Sequence, residues 1–399
     1  MVAHDPMSRE DSDRPDVVTA ARRLAPAIRA ARQETEVQRR TPAGIAAAMA
    51  EAGLYQMYLA RSLGGPELPP LTVFAAVEEL SRADGSIGWC GMIASGNSLL
   101  TGWLPPETVR AMAGTPADLR IAGSVRPQGR AWPVEGGYRV TGHWNFASGI
   151  DHAAWLVCPC VLMDGETKPR LTPAGTPATR VMWVPAHAAT IIDTWSVMGM
   201  RGTASQDFTL KDGIVPEDYT SSPADPPFQS GPLYQQRTMF IVLWTATVAN
   251  ALGIARGAID DFVELATREA TTMSTALLRD RPLVQSTVAR AEAIVNAARA
   301  YVHDAVGCAW EAFQAGNPGD PTPLITQARL AITHGIHEAV RTVDLVFHAA
   351  GTNAVYTRNP LERHFRDIHV AVQHGAALPG HFESAGKALM GVRPNDPGW

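Results

Sequence analysis

Two short stretches hold most of the side chains in this sequence that could do chemistry. The first, GHWNFASGIDHAAW (142–155), sets two tryptophans, two histidines, an asparagine and a serine among glycines and alanines. EGGYRV (135–140) just before it reads as a tight turn opening a strand, so these groups gather along one strand and the turn that ends it. An aromatic wall can cover a flat ring, a serine hydroxyl both donates and accepts a hydrogen bond, and Gly149 lets backbone approach closely. The second stretch, RDIHVAVQHGAA (366–377), puts Asp367, Val370, Ala371 and His374 at i, i+3, i+4 and i+7, one face of a helix. An imidazole of near-neutral pKa on that face could deprotonate a phenol and make its ring carbon more nucleophilic. His369 falls two residues off the face, and His364 and His381 are expected at the surface.

The composition narrows what such groups could serve. The chain has 399 residues, 46% hydrophobic and 18% charged, with a net charge of −5, which describes a globular protein with ample core and no basic footprint for nucleic acid. No run of eighteen apolar residues suggests a membrane span, and the polar, acidic start lacks a signal peptide's apolar core, so the cytoplasm is expected. Cys90, Cys158, Cys160 and Cys308 have neither a disulfide framework's spacing nor a metal knuckle's, so buried reduced thiols and no metal are expected.

Three textures follow one another. Apolar residues recur every three to four positions from about 16 to 113, and SIGWCGMIASGNSLLTGWL (86–104) is apolar nearly all round, as in a buried helix. Trp89 and Asn97 stand eight residues apart near one face of that helix. From about 119 to 220 the period is two, with RIAGSV, GYRVTGHW, AAWLVCPCVLM, TRVMWVPA, ATIIDTW and SQDFTLKDGIV as strands of an antiparallel domain. Helical period returns after about 230 in three long segments that suggest an up-down bundle. MFIVLWTATVANALGIA (239–255) is apolar on more than one face, which argues for assembly. Ligands favour the groove where such helical and β surfaces meet.

In this order, ADGSIGW (83–89), EGGYRVTGHWNFASGIDHAAW (135–155), DTWSVMGMRGTASQDFTLKDGIVPE (193–217), RDRPLVQSTVARAEAIVNAAR (279–299) and HAAGTNAVYTRNPLERHFRDIHVAVQHGAA (348–377) resemble the acyl-CoA dehydrogenase fold. In detail they resemble its oxygenase branch, the reduced-flavin-dependent monooxygenases of two-component systems. The resemblance implies an α+β protein with an N-terminal helical domain (1–118), a central antiparallel β domain (119–225) and a C-terminal four-helix bundle (226–399). It implies reduced FMN or FAD, supplied by a separate NAD(P)H:flavin reductase, and O2 as co-substrate. Oxygen would pass through a C4a-hydroperoxide to an aromatic or polycyclic substrate or to a heteroatom. The absence of a G-x-G-x-x-G fingerprint fits a partner that supplies reduced flavin, and equally a dehydrogenase that passes electrons on.

Residue by residue, the resemblance sets Trp144 and Ser148 beside the flavin ring and Thr203 in the β segment near it. It gives Arg279, with Arg281 as competitor, to the flavin phosphate of a neighbouring subunit, and brings Gly351 and Thr352 to the cofactor across a dimer interface. His374 and Ser148 would be catalytic, Trp89 and Asn97 would line the substrate pocket, and the assembly would be a homotetramer. The alternative is an acyl-CoA dehydrogenase or related flavin oxidase. Against it, Gly375 stands where the dehydrogenases' glutamate base would fall, with Glu264 on the long helix after 230 a conceivable substitute that no motif surrounds.

Overall fold

The computed structural model describes residues 16–270, 275–316 and 319–394. Helices come first: α1 (Val17–Ala30), α2 (Arg32–Gln38), α3 (Ala43–Glu51), α4 (Pro70–Ala83), α5 (Gly85–Leu100) and α6 (Pro106–Met112). Local chemistry marks their starts. The Asp16 carboxylate accepts from the Thr19 N–H to begin α1, prolines occupy the first turn of α4, and Asp84 accepts from the Ile87 N–H to begin α5. α5 is buried on nearly every face. Trp89, Ile93, Asn97 and Leu100 are its half-buried exceptions, and their spacing puts them in a single stripe.

The strands are β1 (Ile121–Gly123), β2 (Gly129–Val134), β3 (Gly137–Ala147), β4 (Trp155–Leu162), β5 (Thr179–Pro185), β6 (Thr190–Ile192), β7 (Gln206–Pro216) and β8 (Thr220–Ser221). They form one sheet in the order β6-β7-β3-β2-β4-β5-β8, with β1 beside β4. The sheet is mixed, which corrects the antiparallel expectation: β4 runs parallel to both β1 and β2. After β3 the chain passes to the far side of β2, so a strand reversing β3 must run with β2. β2 itself escaped the sequence reading because GRAWPV contains Pro133, a residue that lacks a ladder N–H.

The last helices are α7 (Gln236–Ala266), α8 (Pro282–Gln314), α9 (Thr322–Ala350), α10 (Pro360–Ala371) and α11 (Gly380–Leu389). α7 spans 31 residues and is apolar enough to cross a membrane, but 83% of its most apolar stretch is buried here, as befits a core helix. Its apolar faces are covered within the chain by α4, α5, α9 and α10. The sequence argument for assembly from α7 therefore fails, because intrachain packing satisfies the same surface. Helices from both ends of the chain share one core, with Phe74, Val77 and Leu80 of α4 against Val248, Leu252 and Ile259 of α7. The sheet has its own core around Val140, Trp144, Leu156 and Phe208.

Where helices and sheet meet, a buried ionic cluster ties three regions together. Arg363 of α10 lies 2.7 Å from the capping carboxylate Asp84, 3.6 Å from Asp367 one turn along, and 3.7 Å from Glu36 of α2. The Asp84 and Asp367 side chains are almost wholly buried. Burial pushes the Asp367 carboxyl up, against the pull of Arg363. Breaking such a buried pair from one side costs about 3–5 kcal/mol. Arg363→Ala should therefore lower unfolding free energy by about that amount, read as a shift in the denaturant midpoint at unchanged slope.

Candidate active site

The site begins at an irregularity in the sheet. β3 and β7 pair regularly from Gly142–Leu210 to Trp144–Phe208 and resume at Ala147–Gln206, so β3 carries one extra residue there. The bulge puts Phe146 in the left-handed region at φ 61° and leaves its ring 56% exposed, edge-on to Trp195 at 6.0 Å. Ser148 follows in the turn that ends the strand. Trp144 lies on the other side of the sheet, fully buried, stacked on Phe208 at 5.2 Å with its N–H donated to the Pro159 carbonyl. It cannot itself wall a ligand in this conformation: alternation along the strand turns it into the core, and the bulge turns out Phe146 instead.

Residues 199–205 face this turn. A side chain at Gly199 would collide with the Arg366 carbonyl at 2.3 Å, and one at Gly202 with the Thr35 methyl at 2.2 Å. Glycine thus lets the segment lie flush against α10 on one side and α2 on the other. Met200 and Ala204 both take left-handed conformations, at φ 55° and 43°. Non-glycine residues hold such angles only when their surroundings enforce them. Here the Met200 N–H donates to the buried Asp367 carboxylate, and its carbonyl accepts from the Trp195 indole at 3.0 Å.

From this anchor a line of hydroxyls runs to α5. Thr203 donates to the Met200 carbonyl at 2.9 Å, Thr203 and Ser205 hydroxyls are 2.6 Å apart, and Ser205 and Ser148 hydroxyls 2.7 Å apart. The Trp89 indole N–H donates to Ser148 Oγ at 3.1 Å. Trp89 also meets the His374 ring edge-on, 5.4 Å between centroids at 85°. His374 follows the end of α10 and caps the short turn 375–377, its Nδ1 accepting from the Ala376 N–H at 3.2 Å. That bond leaves the neutral ring's proton on Nε2. Burial holds its pKa down at about 4, so at neutral pH His374 is an uncharged donor.

The stripe on α5 faces half-buried residues of α7. Phe240, Leu243 and Trp244 are half-buried near the start of this mostly buried helix, and a side chain at Gly96 would come within 3.0 Å of Leu243. Trp244 packs on His381, whose Nε2 is 2.8 Å from the Gly375 carbonyl. Half-buried Phe240, Leu243 and Trp244 of α7 and the 374–381 segment therefore gather apolar and aromatic surface beside the part of α5 that carries Trp89, with His374 against it. Hollows of about 760 and 670 Å3 lie elsewhere, one beside Gln56 and Thr115 and the other beside Trp103 and Tyr234. Neither touches Ser148 or His374, so the chemistry locates the site better than the size of a hollow.

The structure brings together Trp89, Ser148, Thr203 and His374 of the expected residues. Asn97 lies in the same stripe, two turns along, with its amide donated to the Ile121 carbonyl at 3.1 Å. Arg279, Gly351 and Thr352 are exposed at the other end of the bundle, where α8 begins and α9 ends, separated from His374 by the roughly 18 Å length of α10. Arg279 pairs loosely with Asp280 at 3.7 Å. Three side readings need correction. His364 is 4% exposed and bound to Asp261 at 2.7 Å, and His381 is half-buried beside Trp244, so neither is a freely exposed surface histidine. His364 sits on a face that only α7 makes interior. Glu264 is exposed and paired with Arg268, unable to serve as a buried base. Ser205 escaped notice, although its hydroxyl two residues after Thr203 was visible in GTASQD.

Comparison with known proteins gives this site a context. The acyl-CoA dehydrogenase N-terminal domain model matches residues 17–104, and the acyl-CoA dehydrogenase C-terminal domain model matches 245–379. An indole-3-acetate monooxygenase of Pseudomonas putida is 29% identical over 90% of this chain and 90% of its own. The oxygenase component of an FADH2-dependent resorcinol hydroxylase of Rhizobium is 27% identical over 98% of both chains. The crystal structure of 3-HSA hydroxylase from Rhodococcus superposes with a TM-score of 0.86 at 27% identity, over 96% of this chain and 99% of that one. The chain belongs to the flavin-dependent monooxygenase branch of the acyl-CoA dehydrogenase fold family.

For this branch the turn after β3 suits a flavin. The exposed Phe146 and half-buried Trp195 offer a flat apolar rim, and the Ser148 hydroxyl stands in the turn beside them. With a folded pKa near 4 against an ordinary 6.5, neutral His374 opposes protonation in the native state alone. Its contribution to stability is intact above about pH 6.5 and declines as pH falls toward 4, where the folded form also takes the proton. His152, also held near 4 by burial, adds a decline of the same sign. Denaturant midpoints measured from pH 7.5 to 4 should therefore fall with acidity, and less steeply for His374→Gln.

Proposed function

We propose that the protein is the oxygenase that hydroxylates a flat aromatic substrate lying between α5 and α7, with reduced FMN or FAD against the turn after β3. Two-component flavin-dependent monooxygenation is the activity that its relatives support. The observation that carries the placement is the meeting of Ser148, Trp89 and His374 at the end of the half-buried stripe on α5. Bound reduced flavin supplies the electrons that activate O2. The protein's own residues do the rest.

Trp89, Ile93, Phe240, Leu243 and Trp244 give the substrate apolar and aromatic contact and leave little room for water near the reacting atoms. Asn97 offers the polar group farther along the stripe. Ser148 holds the flavin edge by a hydrogen bond, with Thr203 behind it, and Phe146 and Trp195 border its ring. His374 donates from Nε2 to an oxygen, either of the substrate hydroxyl or of the oxygen being transferred. Its Nδ1 is committed to Ala376, so the proton from an attacking phenol has no free acceptor on this ring. That favours donation over general base action, the reverse of the role a near-neutral imidazole suggests.

Arg279, Gly351 and Thr352 would serve a neighbouring subunit's flavin, since they stand far from Ser148 in their own chain. Exposed apolar residues such as Leu283, Val355 and Tyr356 at that end, and Phe382, Leu389 and Met390 on α11, suit a homotetramer. A separate NAD(P)H:flavin reductase would provide the reduced cofactor, in the cytoplasm. Acyl-CoA dehydrogenation lacks its base: Gly375 offers no carboxylate and Glu264 is exposed on the surface.

The test supplies reduced flavin from a general flavin reductase and NADH under 18O2, with phenols and indoles as substrates. One 18O atom in the product is expected; product without label, or acyl-CoA oxidation in its place, would remove this reading. His374→Ala should lower hydroxylation by about 10²-fold or more while hydrogen peroxide release persists. His374→Asn, which can still donate, should retain more activity than the alanine variant, and the wild-type rate should show no acid limb between pH 6 and 7.

A further inference from the structure

The line of hydroxyls behind Ser148 has fixed ends. At one end the Met200 carbonyl can only accept; at the other the Trp89 indole N–H can only donate. Between them each hydroxyl has one proton. Thr203 Oγ1 lies 2.9 Å from the Met200 oxygen, a separation that places the Thr203 proton between the two, since otherwise two lone-pair-bearing oxygens would face each other. Thr203 must then accept from Ser205, and Ser205 from Ser148, at 2.6 and 2.7 Å. Ser148 spends its proton inward and one lone pair on Trp89. Only a lone pair is left for a ligand.

We propose that the Trp89–Ser148–Ser205–Thr203–Met200 relay makes Ser148 an obligate hydrogen-bond acceptor, so that the site selects the reduced flavin over the oxidised one. With the N5 edge of the ring set at Ser148, reduced flavin, which carries a proton on N5, would donate it to Ser148. Oxidised flavin presents a bare N5 lone pair, which meets the lone pair of Ser148 and is repelled. Ser205 and Thr203 act through Ser148 and are positioning residues. Their buried hydroxyls, 3% and 1% exposed, are shielded from water that could reorient them. Asp367 and Trp195, bonded to Met200 on its two sides, keep the terminal carbonyl in place. The inference rests on the placement of flavin at Ser148 given under Proposed function.

The test is anaerobic equilibrium dialysis of the full-length protein with FMN and with FAD, each oxidised and reduced. Wild type should bind the reduced form more tightly. Ser205→Ala removes the acceptor for the Ser148 proton, which is then free to turn toward N5 of oxidised flavin. The ratio of oxidised to reduced Kd should fall about tenfold, one hydrogen bond's worth, chiefly by tighter binding of the oxidised form. Thr203→Val should act in the same direction, since Ser205 loses its acceptor and can donate back to Ser148. A purely structural role would weaken both forms alike. Thermal melting confirms that each variant is folded, and the pair protects against the failure of either one. If both folded variants keep the wild-type ratio, or weaken both forms equally, the relay has no such role while the flavin reading stands. If wild type binds neither form, the reading falls and the relay with it.

Discussion

One buried guanidinium organises this molecule. Arg363 projects from α10 into the seam between the N-terminal helices, the β domain and the bundle, and its carboxylate partners each do a second job. Asp84 caps α5, the helix that presents Trp89. Asp367 holds the Met200 peptide, the start of the segment that presents Thr203 and Ser205. A group of charges that would be costly to bury unpaired therefore aligns three elements at once. Glu36 adds contacts to Arg201 and Arg366, tying α2 into the same cluster.

Strain in the site is held by this alignment. Phe146, Met200 and Ala204 all adopt left-handed backbone conformations without being glycine. The bulge in β3 and the flush packing of Gly199 and Gly202 leave the chain no relaxed path between the sheet and α10. What the strain achieves is geometric: hydroxyls from a turn and from a strand start come within hydrogen-bond distance of an indole on a helix. Such a line, buried and bonded at both ends, has one proton arrangement instead of many, and a ligand at its open lone pair meets a defined polarity.

His374 shows how packing redefines a side chain's chemistry. In water an imidazole near pH 7 is a fair base. Behind Trp89, with Nδ1 tied to a backbone N–H, the ring is neutral and its remaining group is a donor. The same residue type at the same position thus fits a different step, assistance to an oxygen in place of proton removal. The absence of any carboxylate at Gly375 completes the departure from dehydrogenase chemistry.

Much of the architecture was legible in the chain by itself. Periods of 3.6 and 2 marked helices, strands and their order, because each element buries one face and periodicity records that face. Ser148, Trp89 and His374 stood out because their residue types and spacing are local, and Thr203 came from the resemblance of its segment. What the linear chain did not contain was which side of a surface becomes interior. Trp144 and Phe146 are two residues apart in one strand, yet a bulge decided by pairing with β7 buries the first and turns out the second. His364 became interior only when Asp261 met it from α7, and the parallel pairing of β2 with β4 arose only from where the chain crosses the sheet. Ser205 gained its role from distances of under 3 Å to residues 57 and 2 positions away. Composition and period report what each residue prefers; partners distant in sequence determine burial, tautomer and hydrogen-bond direction, and those are properties of the fold.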